Sequence, residues 1–380
     1  MHSLPFVLRV PLRLLCTIPV LTSLSAIPLL VGCSEDHPPV TPSPSFYYWR
    51  SVWDVSPTER ETCADLGVKR LYVRFFDVDW DPVRSCPVPV APLTSARTDS
   101  VAFDIVPTVF ITNRVIALLP SSDLAALSRN IAERVLSMRS DFFPSCSLRE
   151  VQLDCDWTGK TRSKYFALIE GIRGYLHTPS LRLTATIRLH QVKYIDETGV
   201  PPVDRGILMM YNVGRLNDPA TVNSIFDLHT VAQYLSGLGR YPLPLDVALP
   251  LYSWGVVIRR GRAVALINNV ETEDFVDTAR FALRDNKVGV RKSTYVRYEY
   301  LYEGDTVRCE QIKLATLERA LTIVRSEQQS DAMRLVFYHL DEHSLCRYSN
   351  ENLKELCRSF YNPSLIHSAW QYVEKLWSRR

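Results

Sequence analysis

The chain has no excess of charge of one sign: among its 380 residues, 44 Lys and Arg stand against 41 Asp and Glu, a formal +3. With the basic residues scattered, the electrostatic footprint of a nucleic-acid binder is missing, and no nucleic-acid partner is expected. Gly-x-Ser-x-Gly, the P-loop and Gly-x-Gly-x-x-Gly are all absent. Their absence removes the signatures of serine hydrolases of the α/β type, nucleoside-triphosphate enzymes and dinucleotide oxidoreductases. No Cys-x-x-Cys pair occurs, and neither a metal site nor a cofactor is expected. What the chain does have is core: 46% of residues are hydrophobic and 22% charged, too apolar for a disordered polymer.

The amino terminus has to be separated from the fold. Residues 1–32 carry Arg9 and Arg13, no acid, and two apolar stretches interrupted by Pro19 and Pro28. Each stretch is shorter than the roughly 20 residues needed to span a bilayer, so the segment reads as a signal peptide. Its end, Leu30-Val31-Gly32-Cys33, resembles the bacterial lipobox. That resemblance implies cleavage before Cys33, a diacylglyceryl group on its thiol and attachment to a membrane. Residues 33–45, rich in Pro, Ser and Thr, form an extended polar tether, and residues 46–380 are left for the fold. No Asp follows Cys33, which directs the expectation to the outer membrane of a bacterial envelope. Beyond Cys16 and Cys33 seven cysteines remain; Cys155 falls inside a strand as a buried small hydrophobe, and Cys346 with Cys357 is the expected local disulfide.

Eight β-branched and aromatic runs recur along the chain: 46–55, 70–77, 103–112, 150–158, 182–190, 206–213, 246–254 and 334–341. Most are short continuous apolar runs, as strands covered on both faces require. Helical spacing fills the connections at 122–142, 161–176, 222–238 and 314–326, while 81–100 is Pro-rich without a helix. Eight alternations point to an α/β fold, the closed (β/α)8 TIM barrel. An insertion at 259–311, between the seventh strand and its helix, reads as a small α+β excursion. In it Tyr295 to Tyr302 and Thr306 to Gln311 flank Glu303-Gly304-Asp305 as an expected hairpin. Trp370, Tyr372, Val373 and Leu376 are expected core contacts of a last helix.

Chemistry concentrates on the fourth strand, Val151-Gln152-Leu153-Asp154-Cys155-Asp156-Trp157-Thr158. Alternation sends Gln152, Asp154, Asp156 and Thr158 to one side and Leu153, Cys155 and Trp157 to the other. With the apolar set toward the helices, two carboxylates enter the barrel, where they are costly unless hydrogen-bonded or used. A structural polar network is the other use such a cluster can have. The strand resembles the DxxDxDxE strand of chitinase-like family 18 glycoside hydrolases. Met209-Met210-Tyr211-Asn212 resembles that family's MxYD, Leu249-Pro250-Leu251-Tyr252 its seventh strand, and the insertion occupies the place of its extra domain. The resemblance implies that Asp156 orients the substrate's acetamido group, with Asp154 beside it. Val151 replaces the family's first Asp, Asn212 its Asp after Tyr, and Thr158 its catalytic Glu; a hydroxyl is too weak an acid to protonate a leaving group.

An acid would therefore have to come from another strand end, and Asp77, Asp79, Asp341 and Glu342 are the candidates. Trp49, Tyr211, Asn212, Tyr252 and Trp254, with Arg188 and His190, are the expected sugar contacts, because rings stack on sugar faces and the polar groups hold hydroxyls. The expected function is an envelope lipoprotein that binds or processes a carbohydrate at the carboxyl face of its barrel. The alternative is a non-catalytic structural or assembly lipoprotein.

Overall fold

The computed structural model describes residues 43–95, 101–176, 180–328 and 332–361. The leader, Cys33, the tether up to residue 42 and the segment containing Trp370, Tyr372, Val373 and Leu376 lie outside them. Eight parallel strands close into a ring: β1 (Ser45–Tyr48), β2 (Arg70–Asp81), β3 (Asp104–Ile111), β4 (Glu150–Asp154), β5 (Arg182–Arg188), β6 (Arg205–Met209), β7 (Leu245–Pro250) and β8 (Leu335–Tyr338). Neighbours in the chain are neighbours in the sheet, and β1 closes it by pairing with both β2 (Phe46 opposite Leu71) and β8 (Phe46 opposite Phe337). The fold is the expected TIM barrel. Every residue of β1, β4 and β7 is buried, which is why these strands read as near-continuous apolar runs.

The strands are shorter than the sequence runs at their carboxyl ends. β1 stops before Trp49, β4 before Asp156, β5 before His190, β6 before Tyr211 and β7 before Trp254. Hydrogen bonding to two neighbours ends where the strands splay at the rim, so these residues stand on the segments that follow the strands and build the mouth, His190 on a short helix and Trp254 at the start of a strand of the insertion.

Helices cover the ring. α1 (Pro57–Asp65) opens on a capping box: the Glu59 amide donates to Ser56 Oγ at 3.2 Å and the Ser56 amide to Glu59 Oε2 at 2.9 Å. α2 (Leu124–Phe142) buries Leu127, Ile131, Val135 and Met138 at helical spacing and packs on α3 (Arg162–Leu176). α4 (Leu189–Lys193), α5 (Leu228–Leu235), α6 (Leu314–Glu327) and α7 (Asn350–Tyr361) follow. The helix expected from residue 222 begins only at Leu228. Asn223 accepts from the Ile225 and Phe226 amides and Asp227 caps the helix at Thr230, so side chains hold 222–227 as a loop. Among the described residues between β2 and β3 there is no helix; Cys86–Val90 runs antiparallel along the overhang Asp77–Asp81, an edge position where Pro87 and Pro89 lose no ladder bond.

Between β7 and α6 the chain makes a five-stranded antiparallel sheet of Arg262–Asn268, Trp254–Arg259, Thr306–Glu310, Lys287–Val290 and Phe281–Arg284, in that spatial order. It has its own core around Val257, Ile267, Phe281, Val288 and Val307. Its first strand begins at Trp254, earlier than residue 259. The hairpin expected around Glu303-Gly304-Asp305 does not form: Thr306–Glu310 pairs instead with Trp254–Arg259 and Lys287–Val290, and Thr294–Val296 pairs with Glu299–Leu301. The reason is parity. Val296 and Leu301, both buried, would point oppositely from one straight strand, and a turn at Arg297 and Tyr298 brings both inward. Cys346 and Cys357 are both free thiols, as are the five other described cysteines, so the expected local disulfide is absent. Among the described residues no helix is long and apolar enough to cross a membrane.

Candidate functional site at the mouth of the barrel

The barrel interior is polar in layers. At its amino end Arg70 pairs with Glu150 at 3.0 Å and Asp104 at 2.7 Å, and Asp246 pairs with Arg205 at 2.7 Å and Arg334 at 3.3 Å. Tyr72 and Thr184 also donate to Glu150. Glu150 and Asp246 are fully enclosed, so this layer is a structural plug with its charges compensated.

Toward the carboxyl end β4 carries Gln152 and Asp154 inward, while Leu153, Cys155 and Trp157 face the helices, the partition expected from alternation. Trp157 stacks on Tyr165 of α3 at 5.2 Å and its indole donates to the Thr198 carbonyl at 2.8 Å. That anchor fixes where the chain leaves the strand, and so fixes Asp156. Arg188, at the end of β5, grips Asp156 through two bonds, Nε to Oδ1 at 2.5 Å and Nη2 to Oδ2 at 3.2 Å. Asp154 sits deeper and accepts from Thr186 at 2.6 Å. Burial is the main force pushing its carboxyl up to about 6; the neighbouring charges of Asp156 and Asp77 add to the rise, and Arg188 opposes it.

Asp77 belongs to this cluster and is itself held by both Nε and Nη2 of Arg74. The floor thus carries two clamped Asp–Arg pairs and one buried carboxyl between them. The other candidate acids do not converge here. Asp79 accepts from Arg114 at 2.6 Å and Thr112 at 2.8 Å on the rim. Asp341 caps a short helix through the Ser344 amide, and Glu342 accepts from Thr58. Each of the three is engaged by a hydrogen-bond partner away from the Asp154–Asp156 floor. Thr158 is exposed, its amide bonded to Thr161 Oγ1 at 2.9 Å.

Aromatic rings line the walls. Tyr338 touches Tyr47 at 5.6 Å, Trp49 at 5.8 Å, Tyr211 at 5.0 Å and Tyr252 at 5.6 Å, and Tyr252 touches Trp254 at 5.4 Å. Trp49, Tyr338 and Trp254 are half-buried, whereas Tyr47, Tyr211 and Tyr252 lie below the surface. Tyr252 donates to Asn212 Oδ1 at 2.6 Å. The Arg188 guanidinium lies 6.0 Å from the centre of the Tyr211 ring, and the Tyr211 hydroxyl is enclosed without a hydrogen-bond partner. His190 is exposed on α4 near Asp156. His339 and His343 stand four apart, but among the described residues no group of three His, Cys, Asp or Glu side chains could hold a metal ion.

The sequence reading missed Glu310. It is completely buried and accepts from Arg308 Nε at 2.6 Å, the Ser224 amide at 2.7 Å, Ser224 Oγ at 2.5 Å and the Trp254 indole at 2.8 Å. One carboxylate thereby joins the insertion, the loop after β6 and the Trp254 ring. Arg308 and Glu310 alternate with Val307 and Cys309 as an exposed strand face would, so nothing local signals their burial.

Fold and site together define an α/β barrel with an insertion after its seventh strand. At the level of sequence no family model and no curated protein matches the chain. Among solved structures it is similar to the spore cortex-lytic enzyme SleL of Bacillus megaterium QM B1551, with 13% identity over 83% of this chain and 73% of that one at a TM-score of 0.50. SleL of Bacillus cereus matches at 12% identity over 84% and 75% of the two chains, and the Group IV chitinase of Ostrinia furnacalis at 11% over 84% and 99%, both with TM-scores of 0.50. At such identities the likeness is one of fold.

Proposed function

We propose that the mouth of the barrel binds a glycan and does not cleave it by the chitinase route. The observation that carries this reading is the Tyr211 hydroxyl, a buried donor without an acceptor, set in a wall of rings beside the Asp156–Arg188 pair. An unmet buried donor costs about 1–3 kcal/mol, which an incoming acceptor such as an amide carbonyl or sugar hydroxyl would recover. The fold shared with chitinases and cortex-lytic enzymes supports a carbohydrate as the ligand. Against cleavage stand Thr158, which carries no acid, and Asp156, which Arg188 holds by both oxygens. Asp154 keeps a raised pKa but its carboxylate is engaged by the Thr186 hydroxyl at 2.6 Å. Titrating N-acetylglucosamine oligomers into the protein by calorimetry should give binding without release of reducing ends. Reducing-end release abolished by Asp156→Ala would overturn the non-catalytic reading, and silence toward all glycans would overturn the ligand class.

The same reading makes the protein an envelope lipoprotein, held at the outer membrane through Cys33. The support is the lipobox-like Leu30-Val31-Gly32-Cys33 and the Pro-rich tether after it. Metabolic labelling with a fatty acid should mark the wild type and not Cys33→Ala; equal labelling of both would reject the anchor.

A further inference from the structure

The hairpin Thr294–Val296/Glu299–Leu301 of the insertion has two unlike faces. Val296 and Leu301 point into the insertion core. Tyr295 and Tyr300 are cross-strand partners on the opposite face, and Tyr302, two residues beyond Tyr300, continues their row. These three rings are 70%, 36% and 51% exposed. A row of aromatic surface this open marks a contact site more often than a lone exposed ring does.

The rings are fixed before any ligand arrives. Tyr295 and Tyr300 meet edge to face at 4.8 Å, and Tyr300 and Tyr302 at 4.9 Å. The Arg259 guanidinium lies 4.3 Å over Tyr302, and Asp305, itself buried, holds that guanidinium at 2.9 and 2.8 Å. Little conformational entropy is left to lose on binding.

The chemistry of the row also restricts its occupant. It offers aromatic faces edged with hydroxyls and no aliphatic side chain. Counting Arg259 with the six charged residues between 291 and 305, four are basic and three acidic, so the hairpin is close to neutral. A ligand with apolar faces, hydroxyl edges and no net charge satisfies all of this, and a neutral polysaccharide is such a ligand.

We infer that Tyr295, Tyr300 and Tyr302 form a second glycan contact, separate from the mouth, that grips extended neutral polysaccharide. The inference rests on the glycan reading of the mouth. Two modest contacts on one polymer raise retention far above either alone, because the second binding event is intramolecular.

The test is co-sedimentation with insoluble chitin and cellulose, alongside calorimetry with short N-acetylglucosamine oligomers. It compares wild type, Tyr295→Ser/Tyr300→Ser/Tyr302→Ser and Tyr211→Phe. The triple variant should lose at least tenfold in retention on polymer and keep the wild-type affinity for short oligomers. Wild-type retention by the triple variant overturns this inference alone. If the triple variant loses retention while Tyr211→Phe binds short oligomers unchanged, the mouth reading falls and the hairpin site stands. If the wild type pellets with neither polymer, the hairpin site falls, and if it also binds no short oligomer, the mouth reading falls with it. Should the triple variant melt early, Tyr295→Ser decides: a threefold loss of retention supports the site, and unchanged retention overturns it.

Discussion

Asp154 is the residue whose environment departs furthest from what its type prefers. Its folded-state pKa, about 6, lies above the ordinary carboxylate value, so the native state holds a proton that the unfolded chain has released. Its contribution to stability is therefore complete below about pH 4 and is lost as pH rises through about 6, a difference of about 3 kcal/mol. Asp154→Asn keeps an acceptor for Thr186 and removes the titration. Urea midpoints at pH 4 and pH 7 should differ less in that variant than in the wild type, and an unchanged difference would assign the pH dependence elsewhere. Tyr211 makes the opposite case, a polar atom that the folded protein alone does not use. Tyr211→Phe removes that unmet donor and should raise stability by about 1–3 kcal/mol while weakening oligosaccharide binding about three- to tenfold, measured by thermal unfolding and calorimetry. Asp154 and Asp156 were legible from alternation on one strand. That Arg188 clamps Asp156, and that Asp77 joins them from β2 clamped by Arg74, was not, because β2, β4 and β5 meet only when the ring closes.

Among the elements, the insertion depends most on one buried pair. Arg308 and Glu310 are both within 1% of complete burial, and Glu310 alone bridges the insertion to Ser224 and Trp254. Glu310→Ala would leave the Arg308 guanidinium buried and uncompensated, at a cost of about 3–5 kcal/mol. The double variant Arg308→Met/Glu310→Met should recover much of that loss in urea unfolding, while the Trp254 indole, released from its acceptor, changes its fluorescence in both variants. Equal stability of the single and double variants would show that the charge pair is not what secures the insertion. Helices α2, α3 and α6 were readable to within a residue or two because their apolar stripes are uninterrupted. The helix expected from residue 222 was not, since the side chains of Asn223, Asp227 and the distant Glu310 hold its first turn open. The tyrosine-rich run failed as one strand for a comparable reason: parity between Val296 and Leu301 acts only once a core exists on one side of it.

For the molecule as a whole, stability comes from a closed, fully paired sheet and two apolar cores, not from covalent cross-links. All seven described cysteines are free, and burial pushes the Cys63, Cys309 and Cys357 thiols up to about 12. Reductant should leave the melting temperature unchanged, and a thiol reagent should label exposed Cys346 quickly in the native protein and the buried thiols only on unfolding. A fall in melting temperature on reduction would reveal a bridge. By itself the sequence determined the class and order of the fold, because strand and helix periods are local properties repeated eight times. It also determined which side of β4 is polar and that no acid stands at 158, since both are matters of residue identity and alternation. Only the tertiary structure decided which carboxylates share a site, which arginines neutralise them and where a hydroxyl is left without a partner. Those outcomes depend on residues far apart in the chain, brought within a few ångströms by the closing of the barrel, and no local pattern encodes such distances.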